Sequence, residues 1–367
     1  MRTEPGGRLT KFFRSTLTDP RGRGIEFGTA HAIEIRKNIS IYQNMFRTRS
    51  GGNFDVLGAG AAALTAINSF APALHEEILG MADGANLDPA LIGMLNARTE
   101  ILAMLKAGTR GECSVVIHVP VDGKPPVAVQ TWDWHCALKD SWLLWEIPLA
   151  DGSTTKTMTE YGIVGKSGMN TRGLGVLFTI LHHIEDGKYI GVPVHVVSRW
   201  LMDTAPDIAR AAQLAASADV SASSSLNLVS VEADISAAIT VELHPGGPAF
   251  VLPQPNGTLV HTNHFLAPGL AAFDTEPKAF PDTLLRYDLL TRHTAALKKM
   301  SIETVLKTMA SHSGGNAAVC CHPDSTDAPD NQFETLATVI LDLEKGQLHA
   351  HTGGPCTHPL VKASLEA

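Results

Sequence analysis

The run Arg110-Gly111-Glu112-Cys113-Ser114-Val115-Val116-Ile117-His118-Val119 sets the frame for the rest of the chain. A glycine-containing approach leads to one cysteine, and that cysteine opens a β-branched, apolar run with the character of a strand. A turn signal at Asp122-Gly123 and a second apolar run, Val127-Ala128-Val129, complete a β-hairpin. Taken alone, Cys113 reads as a buried, inert cysteine at a strand start. Its chemical alternative is a nucleophile that becomes the first residue of a chain by cleavage of the bond before it. The thiolate is the reactive form of cysteine, and a free α-amino group, titrating at about 7.7–8.0, can serve as its base. The thiol could reach that state by attacking the carbonyl of Glu112, and Gly111 would ease the strained geometry of that step.

With 367 residues the chain is long enough for one large domain or two ordinary ones. Apolar residues at 44% and charged residues at 18% are ordinary globular values and exclude a disordered chain. A net charge of −8 without a basic patch gives no nucleic-acid partner. Residues 1–20 carry Arg2, Arg8, Lys11 and Arg14 but no apolar core of a secretory signal. Residues 56–74 are rich in alanine and glycine and cut by Pro72, which predicts a small-residue packing helix and no membrane span. The five cysteines (113, 136, 320, 321, 356) are too few and too irregular for a disulfide scaffold, which points to a reducing, cytoplasmic setting. No second cysteine pair stands at metal spacing from Cys320-Cys321, so no metal or other cofactor is expected. Cys136, Cys320 and Cys356 are expected to pack as small apolar residues.

Along the chain, helical patterning covers residues 25–48 and 73–82, with Gly84 as a stop to the second segment. Asp88 as N-cap and Pro89 at the first helical position open a further helix, carried by Leu91, Leu95, Leu102 and Leu105 and ended by Gly108. A second hairpin is predicted at 142–159 around Asp151-Gly152. Short helices follow at 194–202 and 206–215, strands near 226–231, 239–243, 249–252 and 258–260, helices at 282–297 and 302–309, and a last hairpin at 336–351. The Gly165-Lys166-Ser167 triplet lacks the earlier glycine of a phosphate-binding loop. Helices first, then antiparallel strands with helices interspersed, predict a layered α+β fold.

Several fragments occur together in a fixed order: Ala82-Asp83-Gly84, Leu95-Asn96-Ala97-Arg98-Thr99-Glu100, Trp132-Asp133-Trp134, the stretch 165–176, His261-Thr262-Asn263-His264-Phe265 and Gly353-Gly354-Pro355-Cys356. This set, spanning roughly residues 25 to 360, resembles the acyl-coenzyme A:6-aminopenicillanic acid acyltransferase family, the C45 peptidases among the N-terminal nucleophile hydrolases. The resemblance implies a four-layer αββα sandwich made as a precursor that cuts itself. Cleavage between Glu112 and Cys113 would give a chain of residues 1–112 and a chain of residues 113–367, one folded α/β heterodimer whose further oligomerisation is left open. Cys113 matches the nucleophile, Asp133 an acidic residue that orients the amine and substrate, and Asn263 the side chain that supports the oxyanion. Trp132 and Trp134 match as core or as the wall of a substrate pocket. Asn96, Arg98 and Glu100 match as a polar network beneath the site. His261 and His264 flank Asn263 without an obvious third metal ligand.

Two positions depart from the family pattern. Glu112 stands where relatives commonly carry glycine, and Cys321 where they often carry arginine, which implies a less anionic substrate than a penicillin-like nucleus. The expected activity is hydrolysis of a small N-acyl amide through an acyl-thioester on Cys113. The alternatives are acyl transfer from a thioester donor to an amine, or a non-processing binding protein of the same fold.

Overall fold

A computed structural model describes residues 12–106, 113–232, 235–328 and 331–357, with a short strand at 363–364. The amino-terminal part consists of strand β1 (Phe12–Arg14) and helices α1 (Pro20–Ala30), α2 (Ala32–Ser50), α3 (Val56–Phe70), α4 (Pro72–Ala85), α5 (Pro89–Asn96) and α6 (Arg98–Met104). Strands β2 (Ser114–His118), β3 (Val127–His135), β4 (Trp142–Pro148), β5 (Thr154–Glu160), β6 (Ser167–Asn170) and β7 (Leu174–Ile180) follow. After α7 (Val194–Thr204) and α8 (Ile208–Ala216) come β8 (Ser224–Glu232), β9 (Ile235–His244), β10 (Gly247–Val251) and β11 (Thr258–His261). The remainder is α9 (Glu276–Ala279), α10 (Asp282–Ala295), α11 (Ile302–Met309), β12 (Phe333–Asp342), β13 (Gln347–Thr352) and β14 (Ala363–Ser364).

The strands form two sheets, ordered β1-β4-β5-β6-β7-β8-β9-β10 and β11-β2-β3-β12-β13-β14. They stack face to face. Gln130 on β3 donates to the Phe178 carbonyl on β7 (2.6 Å) and accepts from Ser167 Oγ on β6 (2.7 Å). On the outer face of the larger sheet, Ser198 on α7 donates to the Lys166 carbonyl (2.6 Å), and Asn170 donates to Met202 (2.8 Å). On the outer face of the smaller sheet, Leu290, Val305, Leu306 and Met309 of α10 and α11 pack on Val116, Val127, Val129, Val260 and Ile340. The result is the four-layer αββα arrangement, an α+β fold.

Local chemistry accounts for much of this. Gly123 and Gly152 take φ of 73° and 84° in the two hairpin turns, a region where a Cβ is strained. Asp88 caps α5 through the Ala90 N–H (2.9 Å). The helix expected to run on from Asp88 instead breaks at Ala97. Asn96 donates to the Ile92 and Gly162 carbonyls (2.9 and 3.0 Å) and accepts from the Val164 N–H (3.0 Å), so its side chain spends its capacity on a distant loop. The expected stop at Gly108 lies outside the described residues.

Gly84 is not a stop. It sits inside α4, whose C-cap is Asn86 in the left-handed region. Gly80 and Gly84 on α4 face Gly24 and Gly28 on α1, and a Cβ on any of the four would lie 2.1–2.3 Å from a backbone oxygen of the other helix. Only hydrogen fits there, so the two helix backbones pack in direct contact. In Gly28→Ala the gain in helix propensity, about 1 kcal/mol, is outweighed by a clash with the Met81 carbonyl that no rotamer relieves, for a net loss of about 1–2 kcal/mol. Gly269→Ala, in open space, is the control. Urea unfolding should show a lower midpoint for the first variant and an unchanged one for the second.

Candidate active site

Cys113 lies immediately before β2, 4% exposed, and β2 pairs antiparallel with β3 through Ser114 and Thr131. The Cys113 N–H donates to Asn263 Oδ1 (2.9 Å). Its carbonyl accepts from Arg286 Nη1 (2.9 Å), which also reaches Ser114 Oγ (3.1 Å). Arg286 Nη2 donates to the same Asn263 Oδ1 (3.1 Å). One amide and one guanidinium therefore fix both backbone groups of Cys113.

α10 supplies the clasp from one face. Thr283 and Arg286 are three residues apart, the spacing that aligns side chains on a helix. Thr283 Oγ1 accepts from the Asn263 N–H (2.9 Å) and lies 3.0 Å from His264 Nδ1. The Asn263 amide orientation follows from its partners, because Nδ2 donates to the Ile180 carbonyl (2.9 Å) while Oδ1 faces two donors. The resemblance gives the Asn263 side chain the support of an oxyanion, a task for an amide N–H. In the structure the group turned toward the Cys113 nitrogen is the carbonyl oxygen, and one Nδ2 hydrogen is committed to Ile180.

Burial pushes the Cys113 thiol up to about 11, and the charge of Asp133 adds to the rise. The Asp133 backbone N–H on the sulfur, and the charges of Lys166 and Arg286, work in the opposite direction. At neutral pH a thiol at that value is anionic in roughly one molecule in ten thousand. Among the described residues no histidine is hydrogen bonded to Cys113. His261 is held by Glu242 through Nε2 (2.9 Å), and His264 is drawn down to about 4 by burial, His261 and Arg286. Asp133 is fully buried on β3, beside the cysteine. Glu112 lies outside the described residues.

Trp132 and Trp134 are 2% and 1% exposed and pack in the core between the sheets. Lys166 Nζ stands 4.3 Å from the centre of the Trp132 ring, and the Arg98 guanidinium 4.6 Å from that of Trp134. Both cations pair with Glu160, at 3.0 and 2.8 Å, and Tyr42 donates a short hydrogen bond to the same carboxylate. Burial opposes the charge of Glu160, yet Arg98 and Lys166 override it and hold the carboxyl at about 2. Burial and Arg98 bring Lys166 down to about 8. Glu100 lies apart from that cluster and accepts from the Val194 N–H at the start of α7 (2.9 Å).

Sequence reasoning missed Lys166, Glu160 and Arg286. Lys166 carried a signal in its triplet, where only a phosphate loop was considered. Arg286 carried none beyond its spacing from Thr283. A cavity of about 370 Å³ opens past the end of β3, lined by Ile41, Met45, Arg49, His135, Phe280 and Phe333 among others, and Cys113 is not in its wall. The backbone of Cys321 pairs with Thr335, the cross-strand neighbour of Asp133.

The sequence model of the acyl-coenzyme A:6-aminopenicillanic acid acyl-transferase family matches residues 121–356. The chain belongs to this family. It is 29% identical over 217 residues to the acyl-coenzyme A:6-aminopenicillanic-acid-acyltransferase 40 kDa form of Emericella nidulans, a match covering 59% of this chain and 58% of the relative. Among solved structures it is similar to penicillin V acylase from Agrobacterium tumefaciens, with TM-score 0.43 and 14% identity over 69% of this chain and 84% of that one. A Caenorhabditis elegans N-acylethanolamine-hydrolyzing acid amidase ortholog gives TM-score 0.46 and 8% identity over 70% of this chain and 100% of its own.

The clasp yields a test. Asn263→Ala removes the acceptor shared by the Cys113 nitrogen and Arg286 Nη2 and the side-chain donor to the Ile180 carbonyl. Turnover of an N-acyl amide should fall about 100-fold or more, the scale of losing one aligned polar group in a reacting centre, with far-ultraviolet circular dichroism unchanged. Normal turnover with only a raised KM would contradict the role.

Proposed function

We propose that this protein is a self-processing amide hydrolase in which Cys113, freed by cleavage after Glu112, attacks the substrate carbonyl. The observation that carries the reading is the double hold on the Cys113 backbone. Its nitrogen already has an acceptor in Asn263 Oδ1, and its carbonyl already has a donor in Arg286. In the continuous chain that nitrogen is an amide and cannot accept a proton. Once the bond before it is cut, the same atom becomes an α-amine next to the sulfur, held in place by the same oxygen. The high value of the buried thiol gives this step its purpose, since without a base the cysteine stays protonated.

The Cys113 sulfur attacks the Glu112 carbonyl, the C–N bond breaks as the thiol proton passes to the departing nitrogen, and water hydrolyses the thioester to the Glu112 carboxyl and the free thiol, leaving residues 1–112 and 113–367. In turnover the amine takes the thiol proton, the sulfur forms an acyl-thioester, and the proton goes to the leaving amine. Water then returns the free enzyme. Asp133, buried beside the sulfur, favours the protonated α-ammonium that appears midway. The second hydrogen of Asn263 Nδ2 remains for the tetrahedral oxyanion. The name of the Emericella nidulans relative supports transfer to an amine as the second fate of the thioester, and an added amine acceptor that diverts product from acid to amide would distinguish it.

Intact-mass measurement tests the reading. Wild type should give fragments of roughly 12 and 27 kDa, in proportion to their lengths, from a 39.1 kDa chain. Cys113→Ala should stay full length and inactive. Cys113→Ser should process slowly, because a hydroxyl supplies far less anion than a thiol. A wild type that remains full length after prolonged incubation, or a Cys113→Ala protein that cleaves, would overturn the proposal.

A further inference from the structure

Four side chains outside this chemistry converge at one end of the smaller sheet. His312 follows α11, Cys320 and His322 come from the next segment, and Cys356 from the turn after β13. One ligand atom from each lies within 4.8 Å of every other. His322 Nε2 is 3.1 Å from His312 Nε2, 3.4 Å from Cys356 Sγ and 3.8 Å from Cys320 Sγ. An imidazole nitrogen carries either one proton or one lone pair, so hydrogen bonding explains only one of these three approaches. A shared cation explains all three. Tetrahedral zinc with bonds of about 2.0 Å to nitrogen and about 2.3 Å to sulfur separates two nitrogens by about 3.3 Å and nitrogen from sulfur by about 3.5 Å. The observed N–N spacing lies about 0.2 Å below the first value, and the two N–S spacings fall on either side of the second. Two thiols and two imidazoles select zinc over magnesium or calcium, which take oxygen.

We propose that His312, Cys320, His322 and Cys356 form a zinc site that ties the segment 311–322 to the turn 353–357. This differs from the expectations that Cys320 and Cys356 pack as small apolar residues and that no metal is bound. The surroundings are built for close approach. A Cβ on Gly354 would lie 2.4 Å from Cys320 Sγ, so glycine lets the turn close over the sulfur. The Cys320 N–H donates to the Ser311 carbonyl (3.2 Å), which brings Cys320 back beside His312. All four positions are filled by protein, the pattern of a structural rather than a catalytic site. On binding, both thiols release their protons to solvent, so two thiolates neutralise the dication. Through Cys321 and Thr335 the site braces β12 opposite Asp133.

The test uses the full chain, expressed with zinc and purified without chelator. Elemental analysis should find about one zinc per chain, lost in the double variant His312→Ala/Cys356→Ser and retained in Cys136→Ser. Titration of metal-free wild type with cobalt(II) should give thiolate charge-transfer absorption and the strong visible bands of a tetrahedral centre, a readout that stands even if the double variant does not fold. Wild type with neither zinc nor a tetrahedral cobalt spectrum, zinc content unchanged in the double variant, or a Cys320–Cys356 disulfide in the zinc-free protein as purified would each overturn the proposal.

Discussion

One carbonyl oxygen, Oδ1 of Asn263, ties the start of β2 to α10. It accepts from the Cys113 N–H and from Arg286, and Arg286 in turn holds the Cys113 carbonyl. Cys113, Asn263 and Arg286 come from segments far apart in the chain and meet only because the smaller sheet and its outer helices are packed. Hydrogen bonds to a charged guanidinium contribute about 1.5–3 kcal/mol each, and breaking one partner here leaves buried groups unpaired. The position of the Cys113 sulfur is therefore a property of the whole second half of the fold.

Beneath it lies a costly arrangement of buried charge. Glu160, Arg98 and Lys166 are fully buried, and such groups repay their desolvation only when each is paired. Packing alone would be served as well by apolar side chains. What the charges add is a cation, Lys166, whose field lowers the Cys113 thiol while Asp133 raises it. Lys166 is itself held at about 8, close to the point where a small change in its surroundings alters its charge.

The hairpins were legible because their signals are local: Asp122-Gly123 and Asp151-Gly152 fix their turns from within. Cys113, Asp133 and Asn263 stand out through a set of motifs in a fixed order, and the structure brings Cys113 and Asn263 into direct contact. What escaped was long-range. The break at Ala97 depends on the partners of Asn96 near Gly162, and Gly84 looked like a helix stop because its real constraint is the backbone of α1. Arg286 has the look of any helix-surface arginine until α10 is docked. His312, His322 and Cys356 share no metal-binding spacing, and only the fold makes them neighbours.

In the proposed function, chemistry begins when the Cys113 nitrogen becomes an amine. The direct measurement follows, in one time course, the fraction of chains beginning at Cys113 and the rate of hydrolysis of a small N-acyl amide. The two should rise together from zero, with constant activity per processed chain. Full activity in chains still joined at Glu112 would contradict the proposed function and require a different base for the thiol.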